Sequence, residues 1–376
     1  MMKVLHLISG GDRGGAKTHI KSLMKGLEGR IYTKLICFTR DNFYDELKNQ
    51  GIRIQVFQQK NRFDMSIISR LRDEISENNY DIIHCHGARA NFIAMLLKGV
   101  KKPFVTTIHS DYKLDFTDKT YKKIIFTNLN KLALKGFNYY IAISDTFKDM
   151  LVERGFRADK IYVVYNGIDM DKEIEFIPRD EFLNRYSIDG KDRTIVGIMG
   201  RLDLVKKHDT FIKAAARVLQ LRRDVVFLIA GEGPEEKRLT SMVQELGIGG
   251  NIHFLGFIGD AYSFFNAIDI NVLTSVSESF PYVILEGARM KKPIISTRVG
   301  GITRLIRDDY NGYIIDVDDE KGLSDKILAL LDNQEKIIYM GENLYKGVEE
   351  NFSAKSMAEE HIRIYTEILN NMEDKE

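Results

Sequence analysis

Two glutamates, Glu278 and Glu286, lie in a stretch from Thr274 to Gly301 that also concentrates hydroxyls and glycines. Such a carboxylate pair can accept hydrogen bonds from sugar hydroxyls or serve as the acid and base of a glycoside hydrolase. The plainer alternative is that Glu278 caps a helix and Glu286 meets solvent. The elements around them decide where they stand. The apolar run Ile268–Leu273 reads as a buried strand ending in a polar loop. Pro281 suits a first helical turn, Tyr282 to Met290 can continue as a helix, and Pro293 stops it before a short strand and the Gly300–Gly301 turn. Glu278 is therefore expected in the loop at a strand's carboxyl end, and Glu286 on the helix that follows. That edge of an α/β sheet is where ligands bind, and free amides at a helix start favour an anion. The combination suits a ligand that is part sugar and part phosphate.

Three other motifs fall at strand ends. Ser9-Gly10-Gly11-Asp12-Arg13-Gly14-Gly15-Ala16 follows the first strand, and its glycines allow backbone amides to approach an anion or a sugar. It is neither the dinucleotide fingerprint nor a P-loop, since Ala16 stands before Lys17-Thr18 where glycine is required. Gly200-Arg201-Leu202-Asp203-Leu204-Val205-Lys206 follows another strand and brings two cations, Arg201 and Lys206, to the edge that holds Glu278. Two cations there suit a diphosphate whose charge grows as it departs. His109 ends a further strand, a better place for function than the usual structural histidine enjoys. His84 and His86 flank Cys85, but alternation of side chains along a strand argues against a metal cluster there, and no Cys/His spacing suggests one elsewhere.

The chain of 376 residues exceeds one hydrophobic core, so two domains are expected. Buried strands alternate with helices and then the alternation restarts near Thr194, which predicts an α/β fold of two Rossmann-like, doubly wound parallel-sheet domains facing a central cleft. The expected boundaries are 1–170, a linker region 171–190, a second domain 191–353, and a C-terminal helix and tail, 354–376, able to cross back to the first domain. With 44% hydrophobic and 29% charged residues the composition is that of a soluble globular protein, no run reaches the length of a membrane span, and the two cysteines read as reduced core thiols of a cytoplasmic protein. The net charge of +1 hides an asymmetry: residues 1–170 carry 28 Lys and Arg against 18 Asp and Glu, and the remainder balances at −9. Residues 98–135 interleave nine lysines with Tyr112, Phe116, Tyr121 and Phe126, which suits an anionic membrane surface on the inner face of the cell membrane, or a solvated helix face. No nucleic-acid-binding module is recognisable.

Taken in order, these motifs resemble those of the retaining GT-B-fold glycosyltransferases of family four. The resemblance rests on the first glycine loop, Thr107-Ile108-His109, Ile143-Ser144, Asn166-Gly167-Ile168-Asp169, Gly200-Arg201-Leu202 with Lys206, Gly231-Glu232-Gly233-Pro234, Glu278 with Glu286, and Gly300-Gly301. It implies that Glu286 binds the ribose hydroxyls of a nucleotide donor, and that Glu278 with Ser279 and the amides near Phe280 holds the donor sugar. It further implies that Arg201 and Lys206 neutralise the diphosphate, Gly14 and Gly15 let the first loop approach it, His109 contacts the transferred sugar, and Gly256-Phe257 meets the base. The implied donor is a nucleoside-diphosphate sugar, UDP-sugar before GDP-sugar, the acceptor a lipid-linked or cell-envelope glycan, with no permanently bound cofactor and no metal. A sugar-nucleotide 2-epimerase of the same fold and a P-loop-like nucleotide-dependent regulator dependent on Lys17 are the alternatives. Lys207 and Lys291 stand where the family usually has glycine, Arg304 where it often has glutamate, and Pro281 cannot donate an amide bond.

Overall fold

The structure, a computed structural model, describes residues 1–10, 15–61, 64–97, 99–109, 111, 128–171 and 173–373. The chain divides into two compact units, Met1–Asp169 with Ser353–Glu376, and Met170–Phe352. The first contains strands β1 (Lys3–Ile8), β2 (Tyr32–Cys37), β3 (Ile54–Val56), β4 (Ile82–His86), β5 (Phe104–Ile108), β6 (Tyr139–Ala142) and β7 (Ile161–Val163). They form a sheet in the order β3-β2-β1-β4-β5-β6-β7, and the pairs are parallel. The second contains β8 (Thr194–Met199), β9 (Val225–Ala230), β10 (Ile252–Gly256), β11 (Ile270–Leu273), β12 (Ile294–Thr297) and β13 (Gly312–Ile315), in the order β10-β9-β8-β11-β12-β13. Each sheet is doubly wound, with its strand order reversing once, between β1 and β4 and between β8 and β11. Chain segments leave on opposite sides at such a point and open a crevice above the carboxyl ends.

The strands form where continuous apolar runs can be buried on both faces. Val225-Val226-Phe227-Leu228-Ile229-Ala230 has every side chain buried, as parallel central strands require. Helices between them are fixed by side-chain caps: Asp41 accepts from the Phe43 amide, Ser144 from Phe147, Asp260 from Ser263 and Asn333 from Lys336. The first helix begins at Gly15, four residues before the His19 expected from periodicity, because its opening turn is not buried and carries no apolar signal. The stretch 171–190, expected as linker, carries the helix Arg179–Arg185 within the second unit. Phe182 and Leu183 bury against Ile195 and Phe264, and Arg179 forms a two-pronged ion pair with Asp269 at 2.7 and 3.0 Å. Seven residues are too few to show a helical period. The expected helix Lys119–Gly136 lies outside the described residues as far as residue 127, and so do 98, 110 and 112–127 of the basic stretch 98–135.

The helix Ala354–Glu373 belongs to the first unit, where Met357, Ala358, Ile364, Tyr365 and Ile368 share a core with Val4, Leu23 and Leu27. Its entry is fitted closely: a Cβ on Gly26 would overlap the Ala354 carbonyl and one on Gly167 the Ser353 carbonyl, while Ile168 bridges to Ser353. Among the described residues no helix is long and apolar enough to cross a membrane.

Lys207 and Lys291 both hold left-handed backbone, with φ of 52° and 56°. This explains the family's preference for glycine at the two positions, since a Cβ there costs roughly 1–2 kcal/mol. Lys291 recovers part of that through Glu342, 2.9 Å away on the surface, a contact contributing about 0–1 kcal/mol. Replacing Lys291 by glycine is therefore expected to leave the urea midpoint of the second unit unchanged or slightly raised. Gly231→Ala, with φ of 138° and its Cβ forced onto the Gly200 carbonyl oxygen, should lower stability by about 2 kcal/mol or more.

Candidate functional site

The second unit's site is built where its strand order reverses. The loop after β8 is shaped by Asp203, whose Oδ1 accepts from the amides of Val205 at 3.0 Å and Lys206 at 3.2 Å. The loop after β11 is tied to it: Thr274 Oγ1 lies 2.8 Å from the Lys206 carbonyl oxygen and 2.9 Å from that of Lys207, and the Val276 amide donates to the Val205 carbonyl at 2.9 Å. A third loop locks the second, with Thr297 Oγ1 donating to the Ser275 carbonyl at 2.6 Å and the Gly301 amide to the Ser279 carbonyl at 2.9 Å. At Gly300 φ is 53° and any Cβ would overlap the Glu278 carbonyl oxygen, so glycine is required for this approach.

On this scaffold Lys206 Nζ donates to Glu278 Oε1 at 2.5 Å, and Ser275 Oγ donates to the same oxygen at 2.6 Å. Glu278 is 10% exposed and Lys206 25%. A cation and a carboxylate are thus held together in a partly desolvated position, where their interaction is stronger than on the surface. Arg201 extends into solvent, 72% exposed, with Nε 3.7 Å from Asp203 Oδ2. Ser279 is half-buried, and the Phe280 ring is core, packed on Phe352 with centroids 5.1 Å apart. Gly256 ends β10 with φ of 68°, its carbonyl accepting from the Gly231 amide at 2.8 Å, and Phe257 beside it is 75% exposed.

Glu286 differs from its neighbour. It projects from the helix Tyr282–Arg289, half-buried, and no side chain among the described residues hydrogen-bonds or pairs with it. Burial disfavours its charge and pushes its pKa up to about 7. A desolvated carboxylate lacking a partner is suited to accept from donors on a ligand.

In the first unit, Gly15 opens the first helix and is exposed, and Gly14 lies outside the described residues. His109, just past β5, is half-buried with Nε2 3.4 Å from His86 Nδ1. Its ring stands edge-on to that of His19, centroids 4.6 Å apart, and His19 Nδ1 lies 3.0 Å from Asn166 Oδ1. Asn166 thus fixes an imidazole, and the glycine after it admits the returning chain at Ser353, so the Asn166–Asp169 motif is a structural device. His84 and His86, two residues apart on β4, share one face of the sheet, with His6 on the neighbouring strand β1 and His86 Nε2 3.1 Å from His6 Nδ1. The expected alternation separates each of them from Cys85 but leaves the two histidines together. Sequence reasoning named Thr274 and Asn166 only as parts of longer motifs and passed over Ser275 and Thr297, small polar residues without local signal. Lys17, which the P-loop alternative needs, is paired with the helix cap Asp41.

The Glycosyl transferases group 1 family matches residues 179–347, and Glycosyltransferase Family 4 matches residues 13–172. N-acetyl-alpha-D-glucosaminyl L-malate synthase of Bacillus anthracis is 27% identical over 82% of this chain and 80% of that protein. The N,N'-diacetylbacillosaminyl-diphospho-undecaprenol alpha-1,3-N-acetylgalactosaminyltransferase of Campylobacter jejuni is 22% identical over 93% of this chain and 95% of its own length. Among solved structures, Anabaena HepE in complex with UDP-glucose superposes with a TM-score of 0.78 at 22% identity, covering 99% of this chain and 100% of that one.

Because the folded pKa of Glu286 lies above its ordinary value, the stability it contributes is complete below that ordinary value and is lost as pH rises through about 7. Glu286→Gln keeps the neutral shape. Its melting temperature should match the parent's near about pH 4 and exceed it by several degrees near about pH 8; a constant difference across that range would contradict a titrating Glu286.

Proposed function

The chain belongs to the group 1, family-four glycosyltransferases, and from that premise we propose that it moves a sugar from a nucleoside-diphosphate donor, UDP-sugar before GDP-sugar, to a lipid-linked or cell-envelope glycan acceptor with retention of anomeric configuration. The observation that carries this reading is the contrast between the two glutamates: Glu278 shares one oxygen between Lys206 and Ser275, while Glu286 is desolvated and unpartnered. A hydrolase pair would need both carboxyl groups flanking a scissile bond. Here one is committed to a cation and the other is poised to accept.

In this reading the ribose hydroxyls donate to Glu286, which stabilises its charged form and lowers its pKa on binding. Phe257, exposed at the end of β10, offers an aromatic face to the base. The diphosphate meets Lys206 and the solvent-extended Arg201, and Glu278, with Ser279 and Phe280 on its loop, holds the sugar. Negative charge grows on the diphosphate as the bond to the anomeric carbon breaks, and the two cations stabilise that charge more than they stabilise the intact donor. The acceptor attacks from the face the leaving group departs from and passes its proton to the departing phosphate oxygen, which accounts for retention with no protein nucleophile and no metal ion. His109 contacts the transferred sugar, and Gly14 and Gly15 give the first loop its approach to the phosphates. UDP-glucose bound to the Anabaena structure and the diphospho-undecaprenol acceptor named for the Campylobacter relative support the donor and acceptor classes. The excess of basic residues in 1–170 supports an acceptor met at an anionic membrane surface.

Purified chain incubated with UDP-sugars and a diphospholipid acceptor should give an α-linked product, read by the anomeric coupling in NMR. Arg201→Ala and Glu286→Ala should each lower the rate by about tenfold or more, and near-parental turnover in both would sink the site assignment. Binding UDP below about pH 7 should release protons from Glu286, seen in calorimetry as a heat that varies with the buffer's ionisation enthalpy. Flotation with vesicles containing anionic lipid should carry the chain upward; its absence from the vesicle fraction would remove the membrane part of the proposal.

A further inference from the structure

Six of the eight histidines, His6, His19, His84, His86, His109 and His361, gather in the first unit on one side of its sheet. Two sets of three have nitrogens within 4.8 Å of one another: His6, His84 and His86, and His19, His86 and His109. The first set is spent on protein contacts, since both nitrogens of His84 are engaged, by Tyr365 OH at 2.6 Å and Thr107 Oγ1 at 2.8 Å. In the second set His86 Nδ1 and His109 Nε2 face each other at 3.4 Å, and the third member keeps an unused nitrogen. His19 Nε2 is fully buried without a hydrogen-bond partner, an arrangement that costs about 1–3 kcal/mol unless something fills it.

We propose that the first unit carries a three-imidazole site for a borderline transition-metal dication, Zn²⁺ above all, formed by His19 Nε2, His86 Nδ1 and His109 Nε2. The tautomers are set for it. Asn166 Oδ1 can only accept, so His19 Nδ1 carries the proton and Nε2 presents a lone pair. When His86 Nε2 donates to His6 Nδ1, His86 Nδ1 likewise presents a lone pair. Such outer hydrogen bonds are the usual means by which metal-binding histidines are oriented. Zn–N bonds of about 2.0–2.1 Å at tetrahedral angles put ligand nitrogens about 3.3–3.4 Å apart, and His86 Nδ1 and His109 Nε2 are 3.4 Å apart. The ligand atoms of the set all lie within 4.8 Å of one another, so His19 need close by no more than about 1.4 Å. Burial holds all three rings in the neutral form that binds metal. Three neutral ligands leave the ion's charge uncompensated, and the half-buried edge of His109 gives water or a small anion access to the fourth position.

The site shares His109 with the proposed transfer chemistry, and its occupancy has a consequence that rests on the proposed function. An ion held by His109 Nε2 takes that imidazole away from the sugar, so Zn²⁺ inhibits transfer and a chelator restores it.

The test is a titration of metal-free, full-length chain with Zn²⁺ against a chromophoric chelator, alongside Co²⁺ uptake read by the visible bands of tetrahedral coordination. One equivalent should bind. His19→Gln and His109→Gln should each weaken binding by roughly 100-fold, and Asn166→Ala, which frees the His19 tautomer, by about tenfold. Circular dichroism checks each variant, and His109→Gln, at a half-exposed strand end, keeps the test valid if His19→Gln fails to fold. Less than one equivalent bound, an octahedral Co²⁺ spectrum, or parental affinity in His109→Gln would overturn the site. Stoichiometric Zn²⁺ that leaves UDP-sugar transfer unchanged would overturn the coupling to His109, and a chain with no transferase activity would still answer the metal titration.

Discussion

The contact between Lys206 and Glu278 joins two loops that leave the second sheet in opposite directions. Nothing in the parallel hydrogen bonding of β8 and β11 holds those loops together once the strands have ended. The ion pair does, together with the threonine hydroxyl that reaches the Lys206 and Lys207 carbonyls. A pair this far removed from water costs desolvation for both charges, and removing one partner strands the other. The Ser275 hydroxyl offsets part of that cost, and Gly300 makes the tight approach of the third loop feasible. A device of this kind holds the Lys206 ammonium in one orientation at the mouth of the loops.

The two units repeat one architecture with different electrostatic characters. In the second, charge is paired or deliberately left desolvated around the strand-order reversal. In the first, the equivalent reversal between β1 and β4 is lined by neutral imidazoles stacked behind His109. One cation does reach that edge: the half-buried Arg89, just past β4, donates to Gln59 Oε1 at 2.8 Å and lies 3.4 Å from Ser9 Oγ.

Much of this was legible in the chain. Apolar runs marked β8 and β9 residue for residue, and the turn chemistry around Pro281 and Pro293 placed Glu278 on a loop and Glu286 on a helix. The doubly wound order followed from continuous strands separated by helices. Three things were not legible, each for a physical reason. A helix as short as Arg179–Arg185 shows no period and is held by the distant Asp269. The raised pKa of Glu286 comes from burial, which the pattern of its own helix does not announce. The histidine cluster draws on β1, the first helix, β4, the end of β5 and the C-terminal helix, so no local spacing could announce it. Where local chemistry sets the structure, sequence reads well; where the sheet brings strangers together, it does not.

The close fit of Gly167 against Ser353 means that the first unit is interrupted by the second and completed only afterwards. Residues 170–352 form a continuous stretch that can finish its core as soon as it leaves the ribosome. The earlier unit must wait, with Leu23, Leu27 and Val4 uncovered, until the helix Ala354–Glu373 arrives. During synthesis the face of the first unit that this helix covers is therefore the last part of that core to be protected from aggregation, after the residues that follow it in the chain.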